Sequence, residues 1–98
     1  MSIIKSCKIV GGTAVSITNS TQLIDTLLYG NNANDNHPKV VGFSIINRGS
    51  TQMDIQINNG DIMTIEAGEG RTYSENVEIF SCVIKTNGAV YQWDGILL

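Results

Sequence analysis

Residues 40–98 read VVGFSIINRGSTQMDIQINNGDIMTIEAGEGRTYSENVEIFSCVIKTNGAVYQWDGILL. Short runs rich in Val, Ile and Thr alternate in this stretch with turn signals such as Arg-Gly-Ser, Asn-Asn-Gly, Ala-Gly-Glu-Gly and Asn-Gly. β-branched and aromatic residues favour strands, whereas Gly and Asn favour the tight turns between strands. Strands do not alternate with helical segments here, which disfavours a parallel sheet. The stretch therefore predicts an antiparallel β-domain.

The strand over residues 51–57 has the clearest pattern. Met53, Ile55 and Ile57 alternate with polar residues at positions 52, 54 and 56. This period of two is typical of a strand with one buried and one solvated face. The Asn59-Gly60 pair that follows suits a type I′ turn, in which both central residues need positive φ. We therefore predict a hairpin between residues 51–57 and 61–67.

Three more turn signals predict hairpins. Asn47–Ser50 joins the run at 40–47 to the strand at 51–57, and Asn87-Gly88 joins residues 77–86 to residues 89–98. Gly11-Gly12 separates the run at 3–10 from a second β-branched run at 13–18, which is the spacing of a two-residue hairpin loop. The pattern predicts about seven strands of the lengths found in small sandwiches and jelly rolls.

The segment from residue 21 to residue 29 has a different period. Leu23, Ile24, Leu27 and Leu28 recur at helical spacing, and Thr21 can cap a helix at its N-terminus. We predict one short helix or turn there, at the end of the sandwich. The whole prediction is an all-β fold, an antiparallel β-sandwich or a jelly-roll-like arrangement, in a single domain over residues 1–98.

The charge of the chain excludes several classes of partner. The net charge is −3, only 15% of the 98 residues are charged, and the six Lys and Arg residues are scattered. Binding to nucleic acid or to an acidic membrane surface requires clustered basic residues, so we predict neither. No apolar run is long enough for a transmembrane helix, and we expect no secretory signal. Cys7 and Cys82 are then expected to be free thiols, although they can pair if their strands are neighbours.

The sequence contains few residues that catalyse reactions. His37 is the only histidine, and it lies in an Asn-rich loop beside Pro38 without a nearby nucleophile. Cys7, His37 and Cys82 are too far apart in sequence for a zinc-ligand pattern. The loop at 31–36 offers amide oxygens but one carboxylate, and its spacing is not that of a calcium loop. We predict no catalytic, cofactor-binding or metal-binding residue.

A candidate interaction surface combines three parts of the chain. Ile4 and Val10 belong to an N-terminal run that is apolar on both faces, as in a strand at an interface. The aromatic residues near the C-terminus suit core packing, an interface anchor or a platform for a sugar, and these alternatives stay open. The surface is completed by the polar loop, so its candidate residues are Ile4, Val10, Asn32, Asn34, Tyr91 and Trp93.

Several short motifs resemble a known group of proteins. They are Ile46-Asn47-Arg48-Gly49-Ser50-Thr51, Asp54-Ile55-Gln56-Ile57, Thr64-Ile65-Glu66-Ala67-Gly68-Glu69 and Tyr91-Gln92-Trp93. In this order they resemble the small β-sandwich virion accessory proteins of tailed bacteriophages, which include head-decoration, head-fibre and neck or tail accessory proteins. The resemblance covers residues 40–98, and carbohydrate-binding modules use the same turn chemistry.

The resemblance implies a non-enzymatic structural or assembly protein. Such a protein is made in the host cytoplasm, becomes part of the virion and binds capsid, neck or tail subunits. Its expected partners are copies of itself and other virion proteins, and no cofactor is expected. A low-charge surface suits packing against other subunits, and an N-terminal strand can add to a neighbouring sheet edge. The alternative is a carbohydrate- or receptor-binding β-sandwich module, with a glycan as the ligand.

Overall fold

The computed structural model describes residues 8–25 and 40–97. Within these ranges the chain is all-β and antiparallel, as predicted, with eight strands rather than about seven. None of the described residues belongs to a helix of the length and apolar character needed to cross a membrane. In chain order the strands are β1 (Lys8–Val15), β2 (Thr21–Asp25), β3 (Val40–Asn47), β4 (Met53–Ile57), β5 (Ile62–Ile65), β6 (Gly70–Thr72), β7 (Ser81–Ile84) and β8 (Val90–Leu97).

The strands form two four-stranded sheets. The order is β1-β8-β3-β6 in the first sheet and β2-β7-β4-β5 in the second. The pairs β1–β8, β2–β7, β3–β6 and β4–β5 are nested like those of one long hairpin with its tip between β4 and β5. This long hairpin folds over on itself, so that β3 also pairs with β8 and β4 also pairs with β7. This strand order is that of a jelly roll, which is one of the two forms that the sequence predicted.

The hydrophobic core lies between the two sheets and receives side chains from both. Met53 and Ile55 are fully buried and Ile57 is half-buried, so the predicted inward face of this strand is confirmed. Burying such side chains stabilises each by about 1.5–3 kcal/mol relative to exposure. The core cluster consists of Ile24, Val40, Phe43, Ile45, Met53, Ile55, Ile65, Ile79, Cys82, Ile84, Ala89 and Tyr91.

The predicted hairpin between β4 and β5 is confirmed, with its turn one residue earlier. Asn58 and Asn59 have φ angles of 51° and 58°, and the amide of Gly60 donates to the carbonyl of Ile57 at 2.8 Å. The two central residues are therefore Asn58 and Asn59, not Asn59 and Gly60. Both positions need the left-handed backbone that Asn adopts readily. The Asn58 carboxamide oxygen also accepts from the amide of Phe80 at 2.8 Å, which joins this turn to the segment before β7.

Two of the other predicted hairpins are wrong, because their turns connect the two sheets. The turn at 47–50 leads from β3 to β4, and the turn at 87–88 leads from β7 to β8, and each pair of strands is split between the sheets. The amide of Arg48 donates to the carbonyl of Val90, and the amide of Gly88 donates to the carbonyl of Ser16, both within 2.9 Å. The same turn residues suit a hairpin and a crossover, so the local sequence does not separate them.

The predicted hairpin at Gly11-Gly12 is also wrong. Both glycines lie inside β1, which pairs with β8 without interruption from Lys8 to Val15. A side chain at Gly11 would clash with the main-chain oxygen of Trp93. The glycine at this position therefore serves the close approach of two strands rather than a chain reversal.

The predicted helix is wrong over residues 21–25, which form strand β2. Gln22 pairs with Val83 and Ile24 pairs with Cys82, so a β-bulge lies at Leu23. The bulge allows both Leu23 and Ile24 to pack against the core, although they are consecutive. Two adjacent apolar residues of this kind imitate helical spacing in the sequence. The rest of the predicted helix, residues 26–29, lies outside the described residues.

Candidate interaction surface

The aromatic residues near the C-terminus pack into the core. Tyr91 is 3% exposed and belongs to the core cluster, so it adds almost no exposed area to the predicted surface. Trp93 is half-buried, and its ring centroid lies 6.1 Å from that of Phe43 at an interplanar angle of 48°. Phe43 also stacks on Tyr73 at 6.3 Å and 23°. Aromatic pairs at such distances stabilise a core beyond their area alone. These rings therefore form a core cluster and not an exposed platform for a sugar.

The other predicted surface residues fall in two places. Val10 lies in β1, at the edge of the first sheet, and is half-buried. Ile4, Asn32 and Asn34 lie outside the described residues, as does His37. The predicted surface therefore retains Val10 and the exposed part of Trp93 among the residues that the structure describes.

The thiol of Cys82 has no exposed surface. It is free and fully buried between the sheets, and burial raises its pKa to about 12. A thiol with such a pKa is protonated at neutral pH, and the thiolate is the nucleophilic form. Cys82 is therefore a small apolar core residue, and within the described residues it is a free thiol. Cys7 lies outside the described residues.

The acidic residues of the described ranges do not form a cluster with metal-ligand geometry. In those ranges no group of three His, Cys, Asp or Glu side chains is close enough together to hold a metal ion. Asp54 lies on the solvated face of β4, where its Oδ1 accepts from the Thr64 hydroxyl at 2.7 Å. The two residues face each other across the β4–β5 ladder. Such a cross-strand pair stabilises a hairpin, which accounts for this carboxylate.

Strand β1 is the most prominent exposed feature of the described residues. It is an edge of the first sheet, and its side chains Ile9 and Val15 are 76% and 54% exposed. No residue from Ile9 to Ile24 is charged. Edge strands in natural proteins are commonly short or carry charges, Pro or bulges that prevent pairing with another chain. β1 has eight residues and a single charge at its first position, so most of this protection is missing.

The sequence contained a signal for this surface that the turn prediction obscured. Treating Gly11-Gly12 as a hairpin loop divides β1 into two short pieces, and neither piece looks like a long edge. The uncharged run from Ile9 onward is the signal, because charged residues are the common protection of exposed strands. Ile9 and Val15 are consequently interaction candidates that the sequence prediction missed.

A second surface, the outer face of the first sheet, is polar. Hydroxyls of Ser44 and Thr72 lie 3.1 Å apart across β3 and β6, and Arg48 Nε donates to Gln92 Oε1 at 3.0 Å. Asp94 lies on the same face and is exposed. These hydrogen bonds hold several donors and acceptors in place on a solvated sheet face. The arrangement can offer polar contacts, but it includes no exposed aromatic ring from Tyr73, Tyr91 or Trp93.

Comparisons with models of protein families, with curated proteins and with solved structures find no match.

Proposed function

We propose that this chain is a non-enzymatic structural protein, an accessory component of a tailed-phage virion that binds copies of itself and capsid, neck or tail subunits. The observation that carries the proposal is the exposed, nearly uncharged edge of β1. An unpaired strand edge presents a row of main-chain donors and acceptors, to which a strand of another subunit can be added. Assembly through β1 requires no catalytic group.

The architecture supports a role in assembly. Jelly rolls recur in viral capsid domains and in lectins, and the strand order found here is that of a jelly roll. One fold can serve many functions, and the function of a protein is decided by the sites on its fold. In this proposal β1 is the site that contacts other subunits. The resemblance of residues 40–98 to virion accessory proteins is the reason for proposing a virion as the assembly.

The proposal is tested on particles. Phage particles from lysates of the source culture are purified on a density gradient and probed with an antibody raised against this chain. We expect the chain to sediment with the particles in a fixed ratio to the major capsid protein, and to resist removal by moderate salt. A chain found only among soluble proteins, in lysates where particles are abundant, would refute a virion role.

The second candidate is a carbohydrate- or receptor-binding module, and the polar outer face of the first sheet favours it. Gln92 and Asp94 are exposed there beside hydroxyl groups, and lectins bind sugars with preorganised donors and acceptors. A glycan array tests this candidate, with Gln92→Ala and Asp94→Ala as variants. Binding that both variants weaken would support it, and absence of binding across the array would exclude this face as a glycan site.

A further inference from the structure

The main-chain groups of β1 point alternately toward β8 and away from the sheet. The amide of Ser16 donates to the carbonyl of Ala89 at 2.9 Å, which directs Ser16 toward the β8 side. The carbonyl of Val90 accepts from Arg48, so Val90 is directed toward β3, and its neighbour Tyr91 toward β1. Tyr91 pairs with Ala14. The main-chain N–H and C=O groups of successive residues in a strand point to opposite sides. The even-numbered residues of β1 therefore form main-chain hydrogen bonds with β8.

The odd-numbered residues of β1 therefore direct their amides and carbonyls outward. These residues are Ile9, Gly11, Thr13 and Val15. No strand of the described ranges pairs with this side of β1. The outward row is also the longest of the four sheet edges, since the edge strands β2, β5 and β6 have five, four and three residues.

We propose, building on the assembly role proposed above, that β1 pairs antiparallel with β1 of a second copy of this chain. Antiparallel ladders join residues that both point toward the neighbour, so outward residues must oppose outward residues. The register that matches Ile9–Val15 with itself places Ile9 opposite Val15 and Gly11 opposite Thr13. The two-fold axis then passes through Gly12. This register uses every outward group of β1 and forms about eight main-chain hydrogen bonds.

Gly12 suits the position on the axis. Residues that oppose each other without mutual hydrogen bonds approach to about 4.5 Å between Cα atoms, which is the closest approach in an antiparallel ladder. Gly12 of each copy would meet there without side chains. A Cβ at Gly12 would meet no atom of its own chain within 4 Å, so there is open space beside it, and its φ of 156° is the feature of the monomer that favours glycine here.

The charges of the chain favour a second copy at this edge. The residues that would meet, from Ile9 to Val15, carry no charge, so pairing two copies buries no ion. Asp94 lies on β8 opposite Gly11, and it is the exposed acidic residue among those that pair with β1. The two Asp94 side chains would be separated by three strand spacings, about 14 Å, which exceeds the screening length of about 8 Å in physiological salt.

The size of the contact predicts a weak dimer. The matched strip Ile9–Val15 is about 23 Å long and about 10 Å wide, or roughly 230 Å² per copy, whereas standard interfaces bury about 800 Å² per copy. Self-association is therefore expected only at high protein concentration. In a particle that holds many copies, the high local concentration compensates for weak pairwise affinity.

Complementary charges at Ile9 and Val15 test both the surface and the register. Ile9→Glu and Val15→Lys are measured alone, as an equimolar mixture, and combined in one chain, by sedimentation equilibrium from about 10 µM to about 1 mM. Each single variant places an unpaired charge opposite an apolar side chain twice per dimer. We expect its dissociation constant to rise by about tenfold or more. The mixture and the double variant place opposite charges at positions 9 and 15 across the contact, so we expect both samples to dimerise.

Matched controls separate pairing from folding. Ile62→Lys on β5 changes an isoleucine that is 54% exposed, the same fraction as Val15, at an edge of the other sheet, and should leave the dissociation constant unchanged. All variants should keep the wild-type thermal unfolding midpoint, because the substituted side chains are exposed. A wild-type chain that is monomeric at 1 mM, a dimer insensitive to the β1 variants, or a mixture that stays monomeric would each overturn the proposal. These results concern the isolated chain, whereas the virion role is decided on particles.

Discussion

Replacing Asn47 by Asp tests the hydrogen bonds that hold the turn between the two sheets. Asn47 ends β3, is 1% exposed and makes three hydrogen bonds with its carboxamide. Its Nδ2 donates to the carbonyls of Thr51 at 2.8 Å and Ile65 at 3.0 Å, and its Oδ1 accepts from the Gly49 amide at 2.9 Å. Asn47→Asp retains the size and the acceptor of this side chain. It replaces the donor by a second acceptor, which then faces two carbonyl oxygens.

The expected cost follows from these contacts. The Ile65 carbonyl loses its side-chain donor in a buried position, which costs about 1–3 kcal/mol, and the partly exposed Thr51 carbonyl loses about 1 kcal/mol. An ionised carboxylate is also buried, with the Gly49 amide as its identified donor, which brings the total to about 4 kcal/mol. The free energy of unfolding of a small domain is about 5–15 kcal/mol, so the variant should still fold.

The destabilisation caused by Asn47→Asp should decrease as the pH falls. Burial and the two carbonyls raise the pKa of the introduced carboxyl above about 3.9, its value in the unfolded chain. The destabilisation is therefore complete above the folded-state pKa and declines as the pH falls through it, because the protonated carboxyl is neutral and has an O–H donor. Asn47→Ala loses the same bonds without a charge, so the difference between the two variants should decrease in acid.

Urea unfolding followed by the fluorescence of Trp93, the single tryptophan, measures both effects. At pH 7.5 the urea midpoint of Asn47→Asp should lie about 2 M below that of the wild type. This shift is the loss of about 4 kcal/mol in the free energy of unfolding divided by a slope of about 2 kcal/mol per M. Asn87→Asp, on the exposed turn between β7 and β8, is the control and should shift little. Wild-type stability of Asn47→Asp at pH 7.5 would refute the hydrogen-bond assignment. A difference from Asn47→Ala that does not change with pH would refute the buried carboxylate.

Three further substitutions test the register, the strand contact and the buried thiol. Ile55→Asp should unfold the domain, since it forces a charge into a site with 0% exposure, whereas Gln56→Asp should be nearly silent by circular dichroism; the reverse ranking would place β4 one residue out of register. Gly11→Ala should lower the free energy of unfolding by about 2 kcal/mol more than Gly12→Ala, because both glycines have φ of 156° but only the first faces a main-chain oxygen of β8; equal urea midpoints would contradict that contact. The pKa of Cys82 is raised from 9.0 to about 12 in the fold, so its contribution to stability is complete below pH 9 and is lost as the pH rises toward 12. Cys82→Ala should remove up to about 1.4 kcal/mol per pH unit of that decline in urea unfolding, and an unchanged slope would show that the thiol is accessible to solvent.

Local patterns predicted the strand character and the inward faces of much of the described chain. Met53 and Ile55 were assigned to the core from their period of two, and both are fully buried. The hairpin at Asn58-Asn59 was found within one residue, because positive φ is a property of the turn residues themselves. The helix predicted at 21–29 was wrong over 21–25, where a bulge at Leu23 alters the simple alternation on which the prediction depended.

The candidate surface was predicted less well, for a physical reason. A half-buried aromatic residue and an exposed one have the same sequence pattern, so the sequence left a core, an interface and a sugar site open for Tyr91, which was counted among the surface candidates. Its burial depends on the core cluster, whose members come from both sheets and from distant parts of the chain. The exposed edge at Ile9 and Val15 was missed because Gly11-Gly12 has the composition of a turn.

The sequence by itself determined that this chain is an antiparallel β-protein, which residues face inward on β4, and, to within one residue, where β4 turns into β5. These properties depend on side-chain period and turn chemistry, which are local. Only the tertiary structure decided that β3 and β4, and likewise β7 and β8, lie in different sheets, and that β1 is a long edge. The physical reason is that main-chain hydrogen bonds are nearly the same for every pair of strands. The choice of neighbours is therefore made by the closure of the two sheets over one core, to which all the strands contribute together.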